Sequence, residues 1–339
     1  MKHTIGDLRQ YQSLPLSVKI IMTQRRIRSW YDYWDGQVYV SFSGGKDSTV
    51  LLHLVRELYP DVEAVFVDTG LEYPEIRQFV KTFDNVTILR PEMSFVEVLK
   101  KYGYPMISKE VALNIEYAKK GSNWAKLKLE GKDKDGSTSK RKQEFVKYSP
   151  LVDCDFNMSS FCCSVMKKHP VKTFEKKTGK KPITAMLADE SSMRRNAWVK
   201  NGCNAFEVKR PISNPMSFWT EQDVLQYIKE NNLPIASVYG EVVYKSTDGN
   251  LYDNIIGTGN LTTTGSDRTG CIFCGFGCHR DKTPSRFQRL KQTHPRQYEY
   301  CLGGGEYVDG VWQPNKQGLG MRHVFDELNQ IYGDGFIKY

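Results

Sequence analysis

Apolar and polar positions change period repeatedly along this chain, and the changes mark out alternating strands and helices. Val38-Tyr39-Val40-Ser41-Phe42 is a short run rich in β-branched and aromatic residues, the composition of a buried strand. From Thr49 to Leu58 apolar residues recur at helical spacing, so the pattern predicts strand, glycine turn and helix, the helix starting at Ser48. Ala64–Val67 and Val86–Pro91 read as further strands, each followed by a helical stretch, Glu75–Thr82 behind Pro74 and Phe95–Tyr102. A later strand is predicted over Ile183–Ala188. A helix follows it through Trp219–Lys229, with Thr220 as N-cap and Asp223 three places on, close to a capping box. This alternation predicts an α/β fold with a doubly wound, mostly parallel sheet.

Other stretches break the alternation. Residues 1–36 read as a lead-in ending in a helix, Ser17–Trp34, whose Arg25, Arg26 and Arg28 form a basic face expected to be solvated. The strands and helices define a nucleotide-binding α/β domain over 37–240. Within it, 118–150 is so rich in lysine that a mobile insertion or a partly helical excursion is expected. Residues 241–339 hold a hairpin insertion marked by Gly249, Gly257 and Gly259, then a Cys-x-x-Cys loop. A basic helix through Arg286, Arg289 and Lys291 and a terminal helix Met321–Tyr332 complete this C-terminal, cysteine-containing helical extension.

Charge narrows the partners. The chain of 339 residues carries a formal net charge of +9, which suits nucleotides or a nucleic acid such as tRNA or DNA. No apolar run approaches the ~20 residues that span a bilayer, and no apolar segment follows Met1-Lys2-His3, so a cytoplasmic protein is expected. Its eight cysteines are then expected as thiols for metal or redox work rather than as disulfides.

The candidate chemistry begins at Ser43-Gly44-Gly45-Lys46-Asp47-Ser48. Two glycines let the backbone approach a ligand, the helix behind them aims unpaired N–H groups and a positive dipole end at it, and Lys46 adds a full charge. The predicted guest is a phosphate, although Val40 and Asp47 stand where the common phosphate-binding loop has Gly and Ser or Thr. Carboxyl ends of parallel strands place ligand contacts, which nominates Asp68 and Thr69 after one strand and Glu190, Ser191 and Arg195 after another. Cys162-Cys163 and Cys271-Ile272-Phe273-Cys274 offer metal-chelating thiolates; zinc could instead take Cys271, Cys274, Cys278 and His279. Cys154 and Cys203 are expected to be buried and inert.

Residues 43–48 match the pyrophosphate loop of the ATP-pyrophosphatase superfamily, whose fold is that of the adenine nucleotide alpha hydrolases. Cys162-Cys163, Lys167-x-x-Pro170, Glu190-Ser191-x-x-Arg194 and Trp219-Thr220-x-x-Asp223-Val224 with Leu233-Pro234 together resemble the phosphoadenylyl-sulfate reductase family. The resemblance implies an adenine nucleotide, ATP or a sulfonucleotide, and a 4Fe-4S cluster on Cys162, Cys163, Cys271 and Cys274, with zinc as the alternative. On this reading Lys46 is expected to neutralise charge on the leaving oxygens, Asp47 or Asp68 to place Mg²⁺ if ATP is cleaved, and Arg195 and Lys167 to bind the substrate anion. The expected function is cleavage of ATP at the α-phosphorus to activate an acceptor for sulfur transfer, with a sulfur or electron donor protein as partner and a homodimer as one assembly. The tail Gly335-Phe336-Ile337-Lys338-Tyr339 has no Glu-Cys-Gly-Ile-His segment, so reduction of a sulfonucleotide, the alternative, would fall to Cys278 or Cys301. A non-catalytic nucleotide sensor is the third expectation.

Overall fold

The strand Val38–Ser41 lies inside a six-stranded sheet, flanked by Ala64–Val67 and Lys181–Ile183. The computed structural model describes residues 3–245 and 259–339, so Gly249 and Gly257 lie outside the described residues. Strand order runs Val86–Leu89, Ala64–Val67, Val38–Ser41, Lys181–Ile183, Ile212–Ser213, Asn204–Ala205, and only the last pair is antiparallel. Val40 stands opposite Ala64 on one side and Ile183 on the other.

Both faces of this sheet are covered, as expected of near-continuous apolar strands. Val38 and Val40 pack in one core with Leu51, Leu54 and Val55 of the helix Lys46–Leu58, and with Ile27 and Trp30 of the helix Leu16–Tyr33. Tyr39 and Val65 point the other way and pack on Phe174 of the helix His169–Thr178. The sheet is therefore doubly wound and mostly parallel, as the hydrophobic pattern predicts.

The helix Leu16–Tyr33 is tied in by more than apolar contact. Lys19 is buried and its ammonium lies 2.7 and 2.8 Å from the carboxylate oxygens of Asp223. Asp223 also accepts from Thr220 N at 2.6 Å, so the expected capping box at the head of the helix Glu221–Glu230 forms, and its acid doubles as a counter-ion. Arg26 lies with its guanidinium 4.8 Å from the Phe218 ring centroid, so one member of the expected basic face packs on an aromatic ring.

The chain forms two compact units that do not follow the expected divisions after 36 and 240. One comprises Met1–Asp68, Glu72–Arg90 and Val171–Thr269; the other comprises Thr69–Leu71, Pro91–Pro170 and Gly270–Tyr339. The lead-in belongs to the sheet unit because Ile27 and Trp30 are fully buried in its core. In the second unit Tyr104 OH donates to Leu319 O at 2.8 Å, and Gly275–Phe276 pairs with Met106–Ile107, which joins segments far apart in sequence.

One local expectation needs correction, and one open alternative is decided in favour of a partly helical excursion. The strand predicted over 183–188 ends at Ile183, because Ala188 N turns to bond Ser217 O, and 184–187 becomes loop. The lysine-rich stretch contains the helices Asn123–Leu129 and Gln143–Val146, with Ala125, Leu129 and Phe145 buried. Its lysines serve the fold: Lys128 lies 4.2 Å from the Phe145 ring centroid, and Lys119 donates to Cys154 O and Phe156 O at 2.5 and 2.8 Å.

Lys19→Met should strand the Asp223 charge in the core. We expect a loss of about 3–5 kcal/mol in urea unfolding, and a loss under 1 kcal/mol would show that the pair is not a buried constraint.

Candidate functional site

The turn after the first strand is closed by its own hydroxyls. Ser48 Oγ accepts from Ser43 N at 3.2 Å and donates to Gly45 O at 2.9 Å, while Ser43 Oγ accepts from Gly45 N at 3.3 Å. Gly45 is the N-cap of the 13-residue helix Lys46–Leu58 and offers no side-chain acceptor, which leaves first-turn amides for a guest. The two glycines have different reasons. Gly44 has φ +71°, and a Cβ there would sit 2.9 Å from Cγ2 of both Ile76 and Val80, so it is required by the turn and by the helix Pro74–Val80. Gly45 has ordinary φ and faces a cavity, where a Cβ would meet Ser43 Oγ at 3.2 Å and Tyr239 OH at 3.3 Å.

That cavity, about 340 Å³, opens at the carboxyl ends of the central strands. Its cations are Lys46, Arg194 and Arg268, and its carboxylates are Asp47, Glu190, Glu221 and Asp267. Lys46 is 5 % exposed; its Nζ lies 3.1 Å from Glu221 Oε1 and 5.4 Å from the Tyr239 ring centroid. Tyr239 OH in turn bonds Thr269 Oγ1. Burial pushes the Asp47 carboxyl above its ordinary value, opposed by Lys46. Arg194 is ion-paired with Glu190, and burial together with Arg268 lowers its pKa from the ordinary value. A cavity of cations and carboxylates at a helix N-terminus can hold a phosphate chain and its counter-cation together.

Of the residues nominated from sequence, Ser43, Gly45, Lys46, Asp47, Ser48 and Glu190 line this cavity. Gly44 shapes the turn without lining it. Asp68 is ion-paired with Arg77 at 2.9 Å, Thr69 Oγ1 accepts from Leu71 N, and neither is among the lining residues. Ser191 caps the helix Ser192–Asn201 by accepting from Arg194 N at 3.3 Å. Arg195 lies 3.9 Å from Asp189, and its neighbour Arg194 lines the cavity instead. The four-residue spacing of Glu190 and Arg194 would have distinguished the two arginines. Glu221, Tyr239 and Asp267-Arg268-Thr269 carry no local signal of this kind and are brought in by topology.

Seven of the eight cysteines belong to the second unit, and Cys203 belongs to the sheet unit. Burial raises the Cys162 thiol pKa, and the neighbouring Cys163, Cys271 and Cys274 push it further in the same direction. Cys274 is likewise raised, by burial first and with Cys163 contributing. Cys274 N bonds Cys271 O at 3.1 Å to close the Cys-x-x-Cys turn. Arg286, held on Asp281, donates to Cys274 O and Phe276 O at 3.0 and 2.9 Å and fixes the loop from outside. Cys278 is buried and its pKa is pushed up to about 12; Cys301 is wholly buried and its thiol is raised further still. Cys154 and Cys203 are buried as expected.

A family model, the phosphoadenosine phosphosulfate reductase domain, matches residues 37–108 and 107–278. The chain belongs to this family. Among its relatives, an uncharacterised protein of Methanocaldococcus jannaschii is 25 % identical over 280 residues, 79 % of this chain and 48 % of that one. An adenosine 5'-phosphosulfate reductase of Staphylococcus haemolyticus is 25 % identical over 211 residues, 62 % of this chain and 67 % of the relative. The chain thus spans about half the length of the first of these relatives. A solved phosphoadenylyl-sulfate reductase from Candida auris, in a phosphate complex, aligns over 75 % of this chain and 98 % of its own at 16 % identity, with a TM-score of 0.38. The family match spans both the glycine turn and all four cysteines of the two pairs. Among the described residues no helix is long and apolar enough to cross a membrane.

The glycines separate in their expected effects. Gly44→Ala should cost about 2 kcal/mol or more in urea unfolding, from strain at positive φ and the clash with Ile76 and Val80. Gly45→Ala should stay within about 1 kcal/mol. Equal losses would contradict the roles assigned to them.

Proposed function

We propose that this member of the phosphoadenosine phosphosulfate reductase family is an adenine-nucleotide-dependent enzyme of sulfur chemistry. In this reading the turn 43–48 grips the terminal pyrophosphate of ATP, and an acceptor is activated at the α-phosphorus for sulfur transfer. The observation that carries it is the cavity's mixture of Lys46, Arg194 and Arg268 with Asp47, Glu190, Glu221 and Asp267. Glu221 and Glu190 are already paired with Lys46 and Arg194, and the further carboxylates Asp47 and Asp267 suit a nucleotide that arrives with a divalent cation. Asp47, rather than the Arg77-paired Asp68, would hold Mg²⁺, which supplies charge neutralisation on the phosphates when bound. Lys46, pre-positioned by Glu221, neutralises charge developing on the leaving oxygens, and amides at the head of the helix bind the phosphoryl oxygens. Arg194 and Arg268 orient the anion.

Cys162, Cys163, Cys271 and Cys274 would hold a 4Fe-4S cluster, and the donor set fits: four neighbouring thiols, one buried and three half-buried. Such a cluster supplies a redox centre. The net charge of +9 supports a nucleic acid, tRNA or DNA, as acceptor.

Family membership supports a second reading, reduction of an adenylyl sulfonucleotide. Burial disfavours the thiolate form of Cys278 and Cys301, so this chemistry would draw its thiol or electrons from a donor protein rather than from either residue.

The readings separate by product. Anaerobically reconstituted protein with Mg-ATP, sulfide and tRNA or DNA should release pyrophosphate as the acceptor is adenylylated and AMP as sulfide displaces it, whereas sulfite from a sulfonucleotide would select the second reading. Binding of ATP without any product would point to a sensor. Lys46→Ala should weaken ATP binding at least tenfold in calorimetry with little change in melting temperature; unchanged affinity would remove the site assignment. Cys271→Ser should cost most of about four irons per chain, and full iron retention would exclude Cys271 as a ligand.

A further inference from the structure

A second group of potential ligands shares no residue with the cavity or with the cysteine pairs. His323 and Glu327 are four residues apart on the helix Met321–Tyr332, which puts both on one face. His323 Nε2 lies 2.8 and 3.0 Å from the two carboxylate oxygens of Asp155 and 3.7 Å from Glu327 Oε2. One ligand atom from each of the three lies within 4.8 Å of the others.

The surroundings hold Asp155 and His323 more firmly than a partly exposed ion pair requires. Tyr307 OH donates to Asp155 Oδ2 at 2.6 Å, and Trp312 N donates to Asp155 O at 2.8 Å. Lys119 grips the carbonyls of Cys154 and Phe156 on either side of the acid. The Trp312 ring lies 4.3 Å from the imidazole, and its own N–H is anchored on Gly320 O at 2.9 Å. Ligands oriented by hydrogen bonds from outside are the usual construction of a metal site.

The His323 ring is within hydrogen-bond distance of Asp155 but stands 3.7 Å from Glu327 Oε2, beyond that reach. Glu327 Oε2 is buried and has no hydrogen-bond partner, although the carboxylate also receives the Cys154 thiol. A buried carboxylate oxygen without a donor calls for a positive guest.

We propose that Asp155, His323 and Glu327 bind one divalent first-row ion, Mn²⁺ or Zn²⁺, through two carboxylates and one imidazole. The imidazole disfavours Mg²⁺ and Ca²⁺, and the oxygen ligands disfavour Cu⁺. The ion ties the Asp155 segment to the C-terminal helix and so stabilises the second unit.

Mn²⁺ is the probe of choice because thiolates compete poorly for it and its free aqueous ion has a six-line EPR signal. Titrated without nucleotide, the wild-type chain should remove about one equivalent of free Mn²⁺ signal per chain, and Mn²⁺ should raise its melting temperature by mass action. Asp155→Asn and Glu327→Gln should weaken binding at least tenfold. Tyr307→Phe, which removes only the outer hydrogen bond, should weaken it roughly tenfold. Lys46→Ala and Cys271→Ser should leave it unchanged. A wild-type chain that neither depletes millimolar Mn²⁺ nor gains thermal stability from it would overturn the proposal, whatever the variants do. So would a Glu327→Gln chain that melts normally and binds Mn²⁺ as tightly as wild type.

Discussion

A helix whose first amides have no side chain to cap them, set at the end of a buried strand, is the constraint from which the candidate site follows. Gly45 cannot cap, Ser43 and Ser48 spend their hydroxyls closing the turn, and Lys46 is buried against Glu221 with its charge held at the mouth of the helix. A positive dipole end and a buried cation at one place require an anion. Glu221 and Asp47 supply part of that need within the protein and leave room for a ligand that carries its own counter-ion.

Position in the sheet makes this arrangement possible. Val38–Ser41 has parallel neighbours on both sides and apolar cover on both faces, so its exit is rigid and points away from the core. Lys19 and Asp223 lock the helix Leu16–Tyr33 to the head of the helix Glu221–Glu230, which also carries Glu221 to the cavity. The same acid that caps the helix therefore sets the depth at which Glu221 meets Lys46.

The parts that are local in sequence were legible. Period changes marked the first three strands and their helices, Thr220 and Asp223 announced the capping box, and the glycine turn identified the centre of the cavity. Whatever depended on tertiary placement was not. Nothing around Tyr239 or Asp267-Arg268-Thr269 marks them as cavity residues, because the short turn Ser237–Tyr239 and the loop after the strand Leu261–Thr263 bring them there. The choice between Arg194 and Arg195 turned on a helical phase that depends on where Ser191 starts the helix. Composition does not decide the lysine-rich stretch: it lacks apolar bulk, yet Phe145 and Leu129 suffice to anchor its short helices, and Lys119 is consumed inside the fold.

Hydrogen–deuterium exchange with and without Mg-ATP tests the central claim most directly, since it reads the amides themselves. The account predicts protection concentrated in the peptide spanning 43–48, with weaker protection around 190–194 and 267–269. Nucleotide binding that leaves the exchange of 43–48 untouched would contradict it.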